Sequence, residues 1–498
     1  MKRLPESTAF LSVTQLGDAL RRRTFSSLEL TEFFLERLDR IGTRLNAVVT
    51  VTADLARAQA RRADAEIAAG HWRGPLHGIP YGAKDLLDTA GIRTTWGAAP
   101  FRDRVPRDNA TVIARLEAAG AVLAAKLAMI ELAGGGDYHM AGAAFTGPAR
   151  NPWDPRRWTG GSSSGPGAAV AAGLVGFAIG SETWGSIVNP STWCGIAGLR
   201  PTYGRVSRAG AMALSWTMDK LGPMARRIGD LGWILAAIAG SDPRDASALP
   251  GRFRPHRIPA RLEGVRLGYF PVTSLPASSP VREPYRQALA LFRRLGATLA
   301  ATSLPDLPYG AAASLILGAE GASAFEPLLD SPAVHLLSDP RQSTGLFAGA
   351  EIKAVDYLRA FRFRRAAQQH FAAYMENFDA LVHPGASSLP PLADLPFDQQ
   401  EKHPVPGAKA KPAHPPAKKR KPNNYQLGGA GNLLGLPAVA VNMGFVRPAA
   451  QVGKAEPPPM PVGLEIVGAP LAEARLLAIA GAFEAAAGWY RHHPHLAV

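Results

Sequence analysis

The chain has 498 residues, a hydrophobic content of 47%, one cysteine and a formal net charge of +15. This length allows about three domains, or one large domain with an extensive buried core. The single cysteine, Cys194, excludes an internal disulfide framework, and no apolar run approaches the roughly 18 residues of a membrane span. The N-terminal segment also lacks the apolar core of a secretory signal. We therefore expect a globular cytoplasmic protein.

The positive charge is concentrated in one segment rather than spread over a folded surface. Residues 401–421 contain seven Lys and Arg residues and one acidic residue. The segment is rich in Pro, Ala and Lys and has no hydrophobic periodicity, which is typical of a solvated insertion. We interpret 402–422 as a flexible basic insertion and 447–461 as a Pro-rich loop within a single domain spanning 1–498. Neither nucleic-acid nor membrane binding is expected.

Helix and strand patterns alternate along the chain. Ser26 and Glu29 form a capping box before an amphipathic helix that ends near Gly42, and a second helix is predicted over residues 53–69. Within residues 108–129, a predicted helix is followed by Gly120 and then by a predicted strand over 121–125. Similar segments follow, with strands at 264–270, 297–301 and 379–384 and helices at 281–295 and 354–365. This alternation predicts an α/β fold with a mixed, twisted sheet covered by helices on both faces.

The central stretch, residues 159–208, contains two clusters of Gly and Ser. The first cluster lies just before Pro166, which suits the first position of a short helix through Ala172. An apolar run over 174–179 reads as a buried strand. The second cluster, around Gly185 and Ser186, follows this strand. Because α/β folds place chemistry where strands end, we expect a functional site at this second cluster.

These clusters resemble the amidase-signature family, whose members use a Ser-cisSer-Lys triad. A Gly-Ile-Pro-x-x-x-Lys-Asp motif ends at Lys84 and Asp85. The Gly-Gly-Ser-Ser loop is matched by Gly160, Gly161, Ser162 and Ser163, and the Asp-Thr-Gly-Gly-Ser-Ile run is matched by residues 182–187. The family's next pattern is matched by Cys194, Gly195, Gly198, Leu199, Arg200, Pro201, Thr202, Gly204, Arg205, Val206 and Ser207. The resemblance runs from about Ser12 to about Trp489.

The resemblance implies a role for each matched residue. Ser186 would be the nucleophile, Ser162 the proton relay and Lys84 the base, with a cis peptide bond between Gly161 and Ser162. The oxyanion hole would consist of the backbone N–H groups of Thr183, Trp184, Gly185 and Ser186. Gly160, Gly161 and Ser163 would support the loop, and Gly135, Gly136, Asp137 and Tyr138 are candidates for substrate binding. The resemblance implies no metal and no organic cofactor.

The chemistry of amide hydrolysis makes a specific demand on the lysine. A base must be neutral, so the pKa of Lys84 must fall from about 10.4 to near 7, as burial among apolar groups can achieve. Pro80, Tyr81 and Leu86 are suitable apolar neighbours. The sequence therefore predicts a buried lysine, and an amidase that releases an acid plus ammonia or an amine from a small-molecule amide.

Three residues depart from the family pattern. Trp184 replaces a glycine, which is compatible with the fold only if this position keeps a negative φ. Glu182 replaces the usual aspartate, and Val188 stands where an arginine is common. Because an acid at 182 and an arginine at 188 can pair, we expect the loop around Ser186 to lose part of its support.

Several alternatives compete with this interpretation. Residues 161–165 also match G-x-S-x-G, which would make Ser163 a nucleophile, although the preceding sequence is not strand-like. No glycine pattern indicates a phosphate-binding loop. His492, His493 and His495 could bind a metal, but a solvated tail is favoured. Similarity is especially close to the glutaminase component of tRNA-dependent amidotransferases, which would need partner subunits. A weakened family member acting as a binding protein, and assembly as a homo-oligomer, also stay open.

Overall fold

A computed structural model describes residues 3–400, 427–449 and 456–496. The strands of these residues are β1 (Val48–Val51), β2 (Pro80–Lys84), β3 (Val122–Leu127), β4 (Phe177–Glu182), β5 (Ala197–Arg200), β6 (Lys220–Ala225), β7 (Arg266–Tyr269), β8 (Thr298–Ala301), β9 (Ala380–Pro384), β10 (Ala438–Val446) and β11 (Met460–Val467). The α-helices are α1 (Val13–Arg21), α2 (Ser27–Arg37), α3 (Ala53–Ala68), α4 (Thr111–Ala118), α5 (Ser164–Ala171), α6 (Val188–Cys194), α7 (Ile228–Ile238), α8 (Arg282–Arg294), α9 (Tyr309–Ala324), α10 (Glu326–Leu329), α11 (Pro340–Ala350), α12 (Ala354–Met375), α13 (Leu427–Leu433) and α14 (Glu473–Ala487).

The strands form one mixed sheet. Their order is β1-β3-β2-β4-β6-β5-β10-β11-β9-β7-β8. The pairs β2/β3, β2/β4, β7/β8 and β7/β9 are parallel, and the other neighbouring pairs are antiparallel. The predicted α/β fold, a single large domain built on a mixed sheet, is therefore confirmed.

Helices pack against both faces of this sheet. Strand β4 shows the alternation, because Phe177 and Ile179 belong to one apolar cluster and Ala178 to another. The first cluster includes residues of α7 and α14, and the second includes residues of α5. Since successive side chains of a strand point to opposite faces, both faces of β4 are covered. This explains why the strand reads as a continuous apolar run.

Local sequence signals predict one helix start correctly and one strand with shifted bounds. Ser26 caps α2 with the predicted capping box, in which its Oγ accepts the N–H of Glu29 at 3.0 Å. The strand predicted at 174–179 instead begins at Phe177 and continues to Glu182. The reason is the antiparallel ladder with β6, which pairs Ser181 with Leu221 and Glu182 with Lys220. Long-range pairing thus carries the strand into polar residues that hydrophobicity alone assigns to a loop.

Two further boundaries differ from the predictions. The helix predicted at 354–365 extends to Met375 in α12. The last two residues of the Pro-rich loop predicted at 447–461, Met460 and Pro461, belong to β11, where they pair with Val446 and Phe445. The predicted basic insertion at 402–422 lies outside the described residues.

The sheet brings two predicted site elements to one edge. Because β2 and β4 are parallel, Lys84 and Glu182 lie at the same edge of the sheet. Strand β6 runs antiparallel to β4 and starts at this edge with Lys220, opposite Glu182. Among the described residues, no helix has the length and apolar character to cross a membrane.

Candidate active site

The predicted base and relay residues are in direct contact. The Nζ of Lys84, at the end of β2, lies 2.8 Å from the Oγ of Ser162. The same Nζ lies 2.9 Å from the Oγ of Ser181, which the sequence analysis did not select. Ser162 precedes α5, and its peptide bond with Gly161 is cis, as the resemblance implies. The structure thus joins the lysine motif to the Gly/Ser loop, 78 residues apart.

The electrostatics of Lys84 match the demand derived from the sequence. Its side chain is fully buried. Burial lowers the pKa of Lys84 to about 7, although the nearby carboxylates of Asp219 and Glu182 act in the opposite direction. A neutral amine can accept a proton from Ser162, whereas an ammonium group cannot. Near neutral pH, a substantial fraction of Lys84 is therefore able to act as a base.

Ser186 lies on the loop that connects β4 to α6. Its carbonyl oxygen accepts the N–H of Ser163 at 3.2 Å, which ties this loop to the Gly/Ser loop. Ser186 is buried, and within the described part of the chain its Oγ has no hydrogen-bond partner. A hydroxyl without a hydrogen-bond partner is available to attack a bound carbonyl group.

The hydroxyl of Ser163 is occupied by hydrogen bonds to the backbone. Its Oγ donates to the carbonyl of Ser181 at 3.1 Å, and the N–H of Ser181 donates to it at 3.3 Å. The residues before it form a loop rather than a strand. The alternative in which Ser163 is the nucleophile of a strand-to-helix elbow therefore lacks both an available hydroxyl and the required preceding strand.

The predicted oxyanion loop tolerates its tryptophan. Gly185 has a φ of 82°, whereas Trp184 is not among the residues with positive φ. The substitution at 184 thus meets the condition that a side chain imposes on the backbone. Nearby, Gly160 has a φ of 87°, which explains a glycine at the start of the Gly/Ser loop. The backbone conformation of both loops is compatible with the proposed roles.

The acid at 182 is well supported, contrary to expectation. The Oε2 of Glu182 accepts the N–H groups of Ile187 at 2.8 Å and Val188 at 3.0 Å. Its Oε1 accepts from the Nη1 of Arg200 at 2.6 Å and from Asn432 at 2.9 Å. Burial alone would raise the pKa of Glu182, but Arg200 and Lys220 lower it to about 2. An arginine on β5 therefore pairs with the acid in place of one at 188.

A second acid supports the other end of the loop. The Oδ1 of Asp219 accepts the hydroxyl of Thr183 at 2.5 Å, and its Oδ2 accepts the N–H groups of Leu214 and Ser215 at 2.8 and 2.9 Å. These bonds join the oxyanion loop to residues 214–215. A cavity of about 200 Å³ lies here, bounded in part by Ser181, Thr183 and Leu214. It adjoins Ser181, whose Oγ contacts Lys84.

The predicted substrate-binding residues occupy a tight turn. An added Cβ at Gly135 would lie 3.1 Å from Leu214 and from Phe325, so this glycine packs closely against both side chains. Gly136 donates to Gln342 of α11 at 3.2 Å. Asp137 is exposed and accepts the N–H of Tyr138 at 2.8 Å. Substrate binding by Gly135, Gly136, Asp137 and Tyr138 stays a prediction, although the ring of Tyr138 packs against Trp158.

Two other sequence candidates have structural explanations. The described residues contain no cluster of three or more His, Cys, Asp or Glu side chains that could hold a metal. The segment that carries the C-terminal histidines packs against the fold, because the ring of His493 stacks on that of Phe10 with centroids 4.0 Å apart. Cys194 is buried, and burial raises the pKa of its thiol. This agrees with its interpretation as a small core residue.

Comparison with known proteins decides the family. The sequence model of the family described as Amidase matches residues 29–477. The chain belongs to the amidase-signature family. Among curated relatives, this amidase-signature chain is 33% identical to the A subunit of the glutamyl-tRNA(Gln) amidotransferase of Moorella thermoacetica, over 98% of this chain and 99% of that protein. It is 34% identical to the corresponding protein of Methylococcus capsulatus, over 97% of this chain and 98% of that protein.

Solved structures resemble this amidase-signature chain over its whole length. The peptide amidase of Stenotrophomonas maltophilia aligns with a TM-score of 0.78 and 28% identity, over 99% of this chain and 100% of that one. A chain from a vestigial protein complex connected with the origins of an s-triazine catabolic enzyme aligns with a TM-score of 0.81 and 29% identity, over 95% and 98%. The family match supports amide hydrolysis at the level of the family.

Trp184 of this amidase-signature chain replaces a glycine of the family pattern within the predicted oxyanion loop. The indole is 39% exposed, two residues before the buried Ser186. An added Cβ at Gly429 would lie 2.9 Å from its Cζ2, and one at Gly310 would lie 3.7 Å from its Cη2. The glycines of α9 and α13 thus make room for the ring. The exposed indole therefore lies against α9 and α13, and we predict that it limits the size of the amides that reach Ser186.

Trp184→Gly is expected to shift selectivity toward bulkier amides, because it removes the indole while keeping the backbone N–H. In addition, kcat is expected to fall by up to about fivefold for all amides, since glycine makes the loop harder to order. The measurement is kcat/KM over a series of amides of increasing size. Trp233→Ala, at a tryptophan of α7 that is 40% exposed, is the matched control. An unchanged size preference in Trp184→Gly would contradict the inference.

Proposed function

We propose that this chain hydrolyses a carboxylic amide to an acid plus ammonia or an amine through an acyl-enzyme on Ser186. The observation that carries the proposal is the contact between a buried Lys84, whose pKa is about 7, and the Oγ of Ser162 at 2.8 Å. A lysine is rarely fully buried without a strongly paired carboxylate. A hydroxyl partner instead of a carboxylate suits a base that must be neutral.

The proposed reaction has two halves. Neutral Lys84 accepts the Ser162 proton while Ser162 accepts that of Ser186, whose Oγ bonds to the carbonyl carbon. The N–H groups of residues 183–186 stabilise the oxyanion. The proton then returns through Ser162 to the nitrogen, the C–N bond breaks, and ammonia or amine leaves. Water attacks the acyl-enzyme and gives a proton to Lys84 through Ser162. The ester bond to Ser186 then breaks, the relay returns that proton to the Oγ of Ser186, and the acid leaves.

The experiment that tests this proposal is the intact mass of the protein after treatment with a fluorophosphonate at pH 6 and pH 8.5. The Oγ of an activated serine displaces fluoride and adds a phosphonyl group of known mass. We expect one adduct in the wild type and in Ser163→Ala, formed faster at pH 8.5, and none in Ser186→Ala. An adduct lost in Ser163→Ala but retained in Ser186→Ala would reject the assignment of the nucleophile.

A second candidate function is supported by the curated relatives. The matched proteins of Moorella thermoacetica and Methylococcus capsulatus are named as the A subunits of glutamyl-tRNA(Gln) amidotransferases, and the similarity covers almost the full length of each. Under this alternative the amide substrate is glutamine, and partner subunits are required. Copurification of the native protein with partner subunits, together with glutamine hydrolysis, would favour it. Hydrolysis of other amides by the isolated chain would favour the free-standing amidase.

A third alternative is a binding protein with weakened catalysis, suggested by Trp184 and Val188. The geometry argues against it, because Trp184 keeps an allowed backbone and Glu182 retains a charged partner. A wild-type protein that forms no fluorophosphonate adduct would revive this alternative.

The acyl and amine groups of the substrate are left open by the proposal, so a panel of aliphatic, aryl and peptide amides is the appropriate screen.

A further inference from the structure

A chain of four buried ionisable side chains lies behind the Ser186 loop. Glu182 of β4 pairs with Arg200 of β5 at 2.6 Å, and the same Nη1 lies 3.2 Å from Glu465 of β11. The other oxygen of Glu465 lies 2.8 Å from the Nε2 of His383 on β9. All four are buried. The chain of contacts therefore crosses the sheet and ends at Glu182, whose other oxygen holds the backbone after Ser186.

The carboxylate of Glu182 acts on a short and defined segment. Its Oε2 accepts two successive N–H groups, of Ile187 and Val188, within two residues of Ser186. Both groups belong to the first turn of a helix or precede it, and such groups have no partner inside the helix. A charged acceptor makes stronger bonds to them than a neutral one. The position of the Ser186 backbone thus depends on where this carboxylate is held and on its charge.

Arg200 is the permanent positive charge next to this carboxylate. Lys220 is also near, but burial, followed by the charge of Arg200, lowers the pKa of Lys220 well below its usual range. A guanidinium group stays protonated in such surroundings, whereas an ammonium group readily loses its proton. Of Arg200 and Lys220, Arg200 is therefore the one that keeps its charge at neutral and alkaline pH.

The structure holds Arg200 in one orientation. Its Nε donates to the carbonyl of Leu436 at 3.0 Å, while Nη1 is shared between Glu182 and Glu465. On the remaining side, an added Cβ at Gly431 would lie 2.6 Å from Nη2. Contacts from β4 and β11, from Leu436 before β10 and from α13 therefore fix the guanidinium. A guanidinium group held on all sides cannot rotate away, so any displacement of Arg200 also displaces Glu182.

We propose that Arg200 is a positioning residue for amide hydrolysis, which holds Glu182 ionised and in place so that Glu182 fixes the backbone that carries Ser186. The inference rests on the proposed function, because it assigns Arg200 an effect on the reactivity of Ser186. It differs from a purely structural role in one respect. Loss of Arg200 slows the reaction of Ser186 in protein that is still folded.

The test measures the rate of fluorophosphonate labelling of Ser186 in folded protein. Arg200→Met is expected to label at least about tenfold more slowly, since a displacement of about 1 Å in a reacting group can cost a hundredfold. Arg37→Met is the matched control, because Arg37 is also buried and donates to the carbonyls of Gly173 and Ala172. We expect Arg37→Met to lower the thermal unfolding temperature without slowing the labelling of the folded protein.

Gly431→Ala tests the same inference without removing the charge. The added methyl group would displace the guanidinium, and we expect slower labelling with an unchanged global fold. This variant also keeps the inference testable if Arg200→Met does not fold. Arg200→Lys tests the permanence of the charge, because a buried ammonium group at this place readily loses its proton, as argued for Lys220. It should label nearly as slowly as Arg200→Met at alkaline pH. A wild-type labelling rate for Arg200→Lys at alkaline pH would overturn the role assigned to the permanent charge.

A double variant tests whether Arg200 acts through Glu182. If it does, adding Glu182→Gln to Arg200→Met leaves the rate within about twofold of Arg200→Met alone, because the charge to be paired is gone. Losses that multiply would overturn the inference, as would a rate for Arg200→Met within about twofold of wild type. Failure of the proposed function gives a different result. In that case the wild-type protein itself forms no adduct on Ser186, whereas failure of the Arg200 inference alone leaves wild type and Arg200→Met labelling at similar rates.

Discussion

Amide hydrolysis by Ser186→Ala is expected to fall by at least about a hundredfold, because the variant lacks the hydroxyl that is proposed to form the acyl-enzyme. The Oγ of Ser162 is engaged with Lys84, and that of Ser163 with the backbone of Ser181. The measurement is the release of acid and of ammonia or amine from the best substrate of an amide panel. The substitution removes a hydroxyl that makes no hydrogen bond within the described part of the chain, so the free energy of unfolding should change little.

A matched comparison makes this expectation specific. Ser163→Ala removes a hydroxyl one residue from the relay, yet it should retain the ability to form an acyl-enzyme. Its free energy of unfolding should fall by about 1 kcal/mol or more, because the N–H and the carbonyl of Ser181 lose a buried partner. Near-normal turnover by Ser186→Ala would contradict the proposed mechanism.

Lys84→Met is the second large expected effect, and it separates activity from stability. Turnover should fall by about a hundredfold or more, because no base is left to accept the Ser162 proton. In the wild type, kcat/KM should rise with pH through about 7, the pKa of Lys84, and then level off as the lysine becomes neutral. A pH profile that is flat between about 5 and about 9 would contradict the assignment of Lys84 as the base.

The stability of the same variant follows from the direction of the pKa shift. The pKa of Lys84 is about 7 in the folded protein and 10.5 when unperturbed, so the unfolded chain binds more protons between these values. The buried lysine therefore opposes folding increasingly as pH falls from 10.5 to about 7. Lys84→Met removes this cost, worth up to about 5 kcal/mol for a shift of this size. Chemical denaturation at neutral pH and near pH 10 should show a larger gain in stability at neutral pH.

Sequence reasoning succeeded where the determining contacts are local. The capping box of Ser26 and Glu29, and the presence of a short helix at Pro166, depend on neighbours within a few residues, although α5 begins two residues before Pro166, at Ser164. The Lys84 and Ser162 pair is reached through the resemblance, since neither residue reveals its partner by itself. The requirement of a negative φ at Trp184 is also a local condition, and the structure meets it.

The parts that sequence reasoning missed depend on distant contacts. Hydrophobicity assigns Ser181 to the loop after an apolar strand, and only the packing of β2 beside β4 shows that its hydroxyl faces Lys84. The family pattern would place the partner of Glu182 at position 188, but the partner is Arg200, which itself contacts Glu465, 265 residues further along the chain. An acid and a base on different strands give no signal in local spacing, so the sequence alone could not join them.

The residues proposed for chemistry and those that surround Trp184 come from different parts of the chain. Lys84, Ser162, Ser181 and Ser186 all lie within one continuous stretch, whereas the glycines against Trp184 belong to α9 and α13. Helix α13 also supports the Ser186 loop, because its Asn432 donates to Glu182, whereas Gly310 of α9 approaches only the indole. Substitutions around Gly310 can therefore change what reaches Ser186 without disturbing the proton relay. Exchanging α9 between relatives is accordingly a direct route to altered selectivity with an intact reaction centre.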